Sequence, residues 1–137
     1  MKNYSILLTS LVLIIFNTSV FSQSQQIKER YVKFTNEDEI FVEKDGNIEV
    51  RNMFLCNILE SESSKPAHIA VNELSNVVKF GIRSKSENIA NERSCYVIMN
   101  PENYISTFRQ VLYKMGVKYV LIDGEFISTD KFYTINK

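Results

Sequence analysis

Two Asp-Gly dipeptides, Asp45-Gly46 and Asp123-Gly124, constrain the fold of this chain more than any other feature of its sequence. The first lies between segments of alternating hydrophobic residues, 39–44 and 47–51, and the second lies between an apolar strand segment, 117–122, and a short apolar segment, 126–127. Asp-Gly readily adopts the positive φ angles of a type I′ turn, and this turn matches the twist of two antiparallel strands. The sequence therefore predicts two β-hairpins, one in each half of the chain.

The alternation around the first dipeptide predicts further strands. It continues past Arg51 towards Leu59, so the second strand of this hairpin is expected to be long. A preceding segment, Tyr31–Phe34, has the β-branched and aromatic composition of a strand. Together these three segments predict an antiparallel meander.

Residues 68–82 carry two conflicting patterns. Val71, Leu74, Val78 and Ile82 are near helical spacing, whereas Val78, Phe80 and Ile82 alternate as in a strand. We expect a short helix or loop up to Leu74 and a strand from Val77 to Arg83.

The best-marked element follows a buried-type strand over Arg93–Met99. Asn100 suits a helix N-cap, Pro101 the first helical position, and Glu102 the positive end of the helix dipole. Gly116 can adopt the left-handed conformation after the last turn. Between these marks six apolar residues lie on one helical face, namely Tyr104, Ile105, Phe108, Val111, Leu112 and Met115.

These elements predict an α+β fold. We expect a small two-layer domain in which the meander precedes a β-α-β-β unit, with one main amphipathic helix packed on a mixed sheet. A single domain over residues 28–137 accounts for all of them, because a chain of this length supports one core and not two.

The N-terminus is typical of a secretory signal peptide. Lys2 precedes an apolar run, Ile6–Phe16, that is shorter than the ~20 residues needed to cross a membrane as a helix. Val20-Phe21-Ser22 fits the small-residue rule for cleavage after Ser22. We therefore expect a signal peptide over 1–22, a disordered lead-in over 23–27 and a secreted or periplasmic product, with an uncleaved N-terminal anchor as the alternative.

Export gives the two cysteines, Cys56 and Cys95, two alternative roles. In an oxidising compartment a pair can close into a disulfide, and we expect this pair to do so. Each also lies in an apolar segment, so the alternative is two buried free thiols.

No motif in the chain indicates a catalytic, cofactor or metal site. The single histidine, His68, lies in no nucleophile motif and cannot complete a zinc site alone. No Gly-rich phosphate-binding loop occurs. The carboxylates that paired-acid hydrolysis would need are Glu37, Asp38, Glu39, Asp45, Asp123 and Glu125.

The charge balance bears on the partner. Sixteen basic and sixteen acidic side chains give a formal net charge of zero, which disfavours nucleic acid as a partner. Nine Phe and seven Tyr exceed what a small core needs, so some Tyr rings are expected at the surface. We predict an exported, non-catalytic binding module with a protein or a cell-surface glycan as partner and no membrane span after cleavage. A small secreted hydrolase with paired carboxylates is the alternative.

Overall fold

Seven strands and two helices make up the described part of the computed structural model, which covers residues 27–59, 61–83 and 91–132. The strands are β1 (Tyr31–Phe34), β2 (Val42–Lys44), β3 (Asn47–Cys56), β4 (Val77–Ile82), β5 (Glu92–Met99), β6 (Tyr119–Ile122) and β7 (Glu125–Ser128). The helices are α1 (Lys65–Asn72) and α2 (Tyr104–Lys114). All strands belong to one mixed sheet, which confirms the predicted α+β class.

Both Asp-Gly dipeptides form the predicted hairpin turns. Asp45 and Gly46 have φ angles of 53° and 77°, and they join β2 to β3. Asp123 and Gly124 have φ angles of 51° and 76°, and they join β6 to β7. Positive φ at both central residues is the type I′ geometry.

The order of the first strands differs from a simple meander. The sheet order is β4-β5-β3-β1-β6-β7, and β1 pairs with β3 instead of β2. The reason is the length of β3: its first half pairs with β2 and its second half with β1, so the two short strands share one side of β3. The other side of β1 pairs in parallel with β6, which makes the sheet mixed.

The segment with conflicting patterns contains one element of each kind. Of the two alternatives before Leu74 the structure has the helix, α1, which covers Lys65–Asn72 and so begins three residues before this segment. The predicted strand is present as β4, which covers Val77–Ile82. A hydrogen bond links the end of β4 to α1: the backbone N–H of Ile82 donates to His68 Nε2 at 3.3 Å.

The main helix, α2, begins later than predicted and ends where predicted. Its N-cap is Asn103, in the left-handed conformation, so Asn100 does not cap the helix. At the other end Gly116 has a φ of 75°. Its N–H donates to the Tyr113 carbonyl, and the Val117 N–H donates to the Leu112 carbonyl. These two bonds are those of a Schellman motif.

Both helices pack on the same face of the sheet. Val71 of α1 and Phe108, Val111 and Leu112 of α2 are completely buried in one apolar cluster. The strands contribute their inward-facing residues to this cluster, among them Val32, Val50, Met53, Leu55, Val97 and Val120. The opposite face of the sheet is therefore left without a helix in the described part of the chain.

The predicted signal peptide, residues 1–22, and all of the lead-in except Ile27 lie outside the described residues. Of the helices that are described, neither has the length and apolar character needed to span a membrane.

Candidate binding surface on the outer face of the sheet

The outer face is the side of the sheet that points away from α1 and α2. Its centre consists of two rows of directly paired residues, each of which runs across five strands. One row is Ser94, Phe54, Lys33, Leu121 and Phe126. The other is Glu92, Cys56, Tyr31, Tyr119 and Ser128. Because side chains of directly paired residues project to the same side, each row forms a continuous stripe.

Aromatic rings occupy the β1-β6-β7 end of these rows. The Tyr31 and Phe126 ring centroids are 5.0 Å apart with perpendicular planes, and those of Tyr119 and Phe126 are 6.4 Å apart. Phe126 is 40% exposed, and both tyrosines are half-buried. These rings therefore form an aromatic cluster that faces solvent.

A compensated charge pair lies in the centre of the outer face. Lys33 Nζ is 2.5 Å from Glu92 Oε1 and 5.9 Å from the centroid of the Phe54 ring. Since each charge has a partner, this centre contributes little net potential to the surface.

Cys56 and Cys95 are both buried free thiols, and the disulfide that the sequence allows is not formed. Cys95 pairs with Met53 on β3, and Cys56 pairs with Glu92 on β5. The two cysteines are thus three positions out of register, so Cys95 projects into the core and Cys56 to the outer face. A disulfide needs Cβ atoms about 3.8 Å apart and pointing towards each other, which opposite sheet faces prevent.

The environment of the thiols makes them unreactive. Burial raises the pKa of Cys56 to about 11 and that of Cys95 to about 12. Burial, with Cys56 as the next contribution, also raises the pKa of Tyr31 to about 12. Each thiol contacts a backbone carbonyl, Phe54 for Cys56 at 3.7 Å and Met53 for Cys95 at 3.6 Å. Nucleophilic chemistry needs the thiolate, so neither cysteine is suited to it.

A basic cavity opens at the β4 end of the outer face. Its volume is about 420 Å³, and its lining includes Arg51, Lys79, Arg83 and Tyr96. Lys79 and Arg83 stand at alternate positions of one strand and its extension, so they share the outer face. The pairing of β4 with β5 continues to Arg83, because the Arg83 N–H donates to the Ser94 carbonyl at 2.8 Å. Within the described ranges, none of the residues that line this cavity is a carboxylate.

A bulge in β3 brings Arg51 to the cavity. The register between β3 and β5 shifts between Val50 and Met53, and Asn52 has a φ of 56°. Asn is one of the few residues that tolerate this left-handed conformation. Arg51 Nε is 2.6 Å from Glu49 Oε2, so the Arg51 guanidinium is paired with a carboxylate of its own strand.

The missing side chain of Gly81 leaves room for the Tyr96 ring between Lys79 and Arg83. Gly81 and Tyr96 are direct partners in the sheet, and a Cβ at Gly81 would lie 2.4 Å from Tyr96 Cε1. Glycine in a strand interior often marks such a close approach. The Tyr96 ring therefore lies across the backbone of β4, where Lys79 Nζ is 5.8 Å from its centroid.

His68 and the predicted carboxylates have structural surroundings. His68 accepts the Ile82 N–H, and its ring packs 5.3 Å from that of Phe80. Asp45 and Asp123 are exposed turn residues, and Glu37 accepts the Asp123 N–H at 2.9 Å. Each of the five described cavities has at most one carboxylate in its lining. No group of three or more potential metal ligands occurs among the described residues.

The residues of the basic cavity were missed by the sequence reasoning. Lys79 and Arg83 carried a usable signal, because alternation over 79–83 places both on the face that Gly81 leaves open. Arg51 carried none, since its position depends on a bulge that no sequence motif predicts.

No family model, curated protein or solved structure matches this chain.

Proposed function

We propose that this protein is an exported, non-catalytic binding module that contacts another macromolecule, a protein or a cell-surface glycan, through the outer face of its sheet. Export rests on the sequence of residues 1–22. The observation that carries the binding proposal is the aromatic cluster of Tyr31, Tyr119 and Phe126, which faces solvent on the side away from both helices.

Physical arguments support a binding role for these rings. A tyrosine or phenylalanine at a surface offers a large apolar area at a low cost in side-chain entropy, and such residues are enriched in the centres of interfaces. The nearby Lys33–Glu92 pair is internally compensated, so it does not oppose desolvation as a lone charge would. The position of the carboxylates favours binding over hydrolysis, because the described cavities do not bring two acids together.

Site-specific photo-crosslinking in the producing cell tests the proposal. A photoreactive phenylalanine analogue replaces Phe126 on the outer face or, in a matched control, Tyr113 on α2, which is 49% exposed. We expect a discrete crosslinked product from position 126 and none from position 113. Mass spectrometry of the same sample identifies the partner and reads the first residue of the mature chain, which we expect to be Gln23.

Two results would contradict the proposal. Equal crosslinking from both positions would show that contact is not specific to the outer face. Recovery of the intact residues 1–22 from the cytoplasm would contradict export.

A further inference from the structure

The basic cavity concentrates charge in a chain that has none overall. The sequence has sixteen basic and sixteen acidic residues, yet among the described residues three basic side chains and no acid line this one concave site. They come from separate parts of the chain, Arg51 from the β3 bulge and Lys79 and Arg83 from β4 and its extension. Like charges gathered in a concavity raise the local concentration of anions there.

Lys79 and Arg83 supply the charge that is available to a ligand, and Arg51, which is paired with Glu49, supplies further hydrogen-bond donors. The contact of Arg51 with Glu49 uses Nε, and a guanidinium has further N–H donors on its two terminal nitrogens. Among the described residues no carboxylate forms an ion pair with Lys79 or Arg83. A guanidinium binds a carboxylate or a sulfate through two parallel hydrogen bonds, and an ammonium adds a point charge.

Tyr96 adds an apolar wall to a charged site. Its half-buried ring is held against Gly81 between the two basic residues of β4. A tyrosine ring combines an apolar face with a hydroxyl that exchanges hydrogen bonds. A sugar has the complementary surface, with an apolar ring face and a hydroxyl rim.

We propose that the basic cavity binds an acidic glycan, in which a sugar ring packs on Tyr96 and carboxylate or sulfate groups pair with Arg51, Lys79 and Arg83. The inference rests on the proposed binding function and names the partner class for this end of the outer face. The volume of about 420 Å³ falls in the range of small-ligand sites. A protein partner needs a much larger area, and a nucleic acid needs a longer track of unpaired cations than the described residues of this face provide.

Calorimetric titration of the protein purified from its producing cells tests this inference. The acidic probes are polygalacturonate and chondroitin sulfate, and the neutral probe is dextran. We expect the acidic polysaccharides to bind, with an affinity that falls about tenfold or more towards 0.5 M salt, and dextran not to bind.

Matched charge variants locate the site. We expect Lys79→Gln/Arg83→Gln to weaken binding at least about tenfold, and Lys65→Gln/Lys118→Gln, which removes two lysines that do not line the cavity, to change it by less than about twofold. All four side chains are exposed, so both variants should keep the wild-type unfolding transition. Among single variants, Lys79→Arg, which keeps the charge, should retain most of the affinity that Lys79→Gln loses.

Several results would overturn the inference. Equal weakening by the two double variants would mean that net charge alone drives binding. Inorganic sulfate that binds as tightly as the polysaccharides would make the cavity a simple oxyanion site, and single-stranded DNA that binds equally well through the same residues would make it a general polyanion site. No glycan binding, together with specific crosslinking from position 126, would overturn the glycan inference and leave the proposed binding function standing.

Discussion

Cys56 and Cys95 are two residues whose roles depend on the sheet face that each occupies. Their spacing and apolar neighbours allowed either a disulfide or two buried thiols. The register of β3 against β5 prevents the disulfide and leaves two free thiols. The two cysteines are offset by an odd number of positions, which places their side chains on opposite faces of the sheet.

We expect two reactive thiols when the unreduced protein is denatured and titrated with a thiol reagent. In the native protein at pH 8 both should react slowly, since a Cys56 pKa of about 11 lowers the thiolate fraction roughly 100-fold relative to an ordinary pKa of 9.0. Free glutathione under the same conditions is the control. Finding no thiol in the denatured, unreduced protein would contradict the register that separates the two residues.

The bulge in β3 is the element that completes the basic cavity. It inserts an extra residue opposite Tyr96, and it lies between the half of β3 that pairs with β2 and the half that pairs with β1. Bulges bend a strand and redirect a side chain, which here is that of Arg51. The local sequence does not predict this bulge, because Asn52 fits the alternating pattern of the strand. Only its φ angle of 56° shows that it is left-handed.

Substitutions at Asn52 test whether the left-handed residue is needed. We expect Asn52→Val to lower the free energy of unfolding by about 1–2 kcal/mol, since a β-branched residue is strained at positive φ. Asn52→Gly should be close to neutral, because glycine adopts this conformation without strain. Urea denaturation measures both, and Asn52 is exposed, so lost packing does not confound the comparison. Equal stability of the two variants would argue against the bulge.

At the scale of the whole molecule, two buried thiols and one half-buried phenol link the stability of the fold to alkaline pH. Burial raises the pKa values of Cys56, Cys95 and Tyr31 in the folded state. The unfolded chain therefore loses these protons at lower pH than the folded chain does. Their contribution to stability is complete below the unfolded pKa values of 9.0 and 10.0, and it is lost as the pH rises through about 11 to 12.

We expect the free energy of unfolding to be flat with respect to these groups near pH 7 and to fall steadily above about pH 9. The double variant Cys56→Ala/Cys95→Ala should reduce this alkaline slope and leave only the part due to tyrosine. Urea denaturation at a series of pH values measures the slope, which is insensitive to the constant cost of removing the two side chains. An unchanged slope in the variant would show that the thiols are not its source.

Local signals in the sequence determined the elements of this protein, and tertiary structure decided how they combine. The two Asp-Gly turns, the Gly116 helix end and the strand composition of β1 and β5 are visible in the sequence because each depends on a few neighbouring residues. The insertion of β1 between β3 and β6, the separation of the cysteines and the meeting of Arg51, Lys79 and Arg83 are not. They depend on pairing between strands far apart along the chain, where one residue of register moves a side chain from the core to the surface.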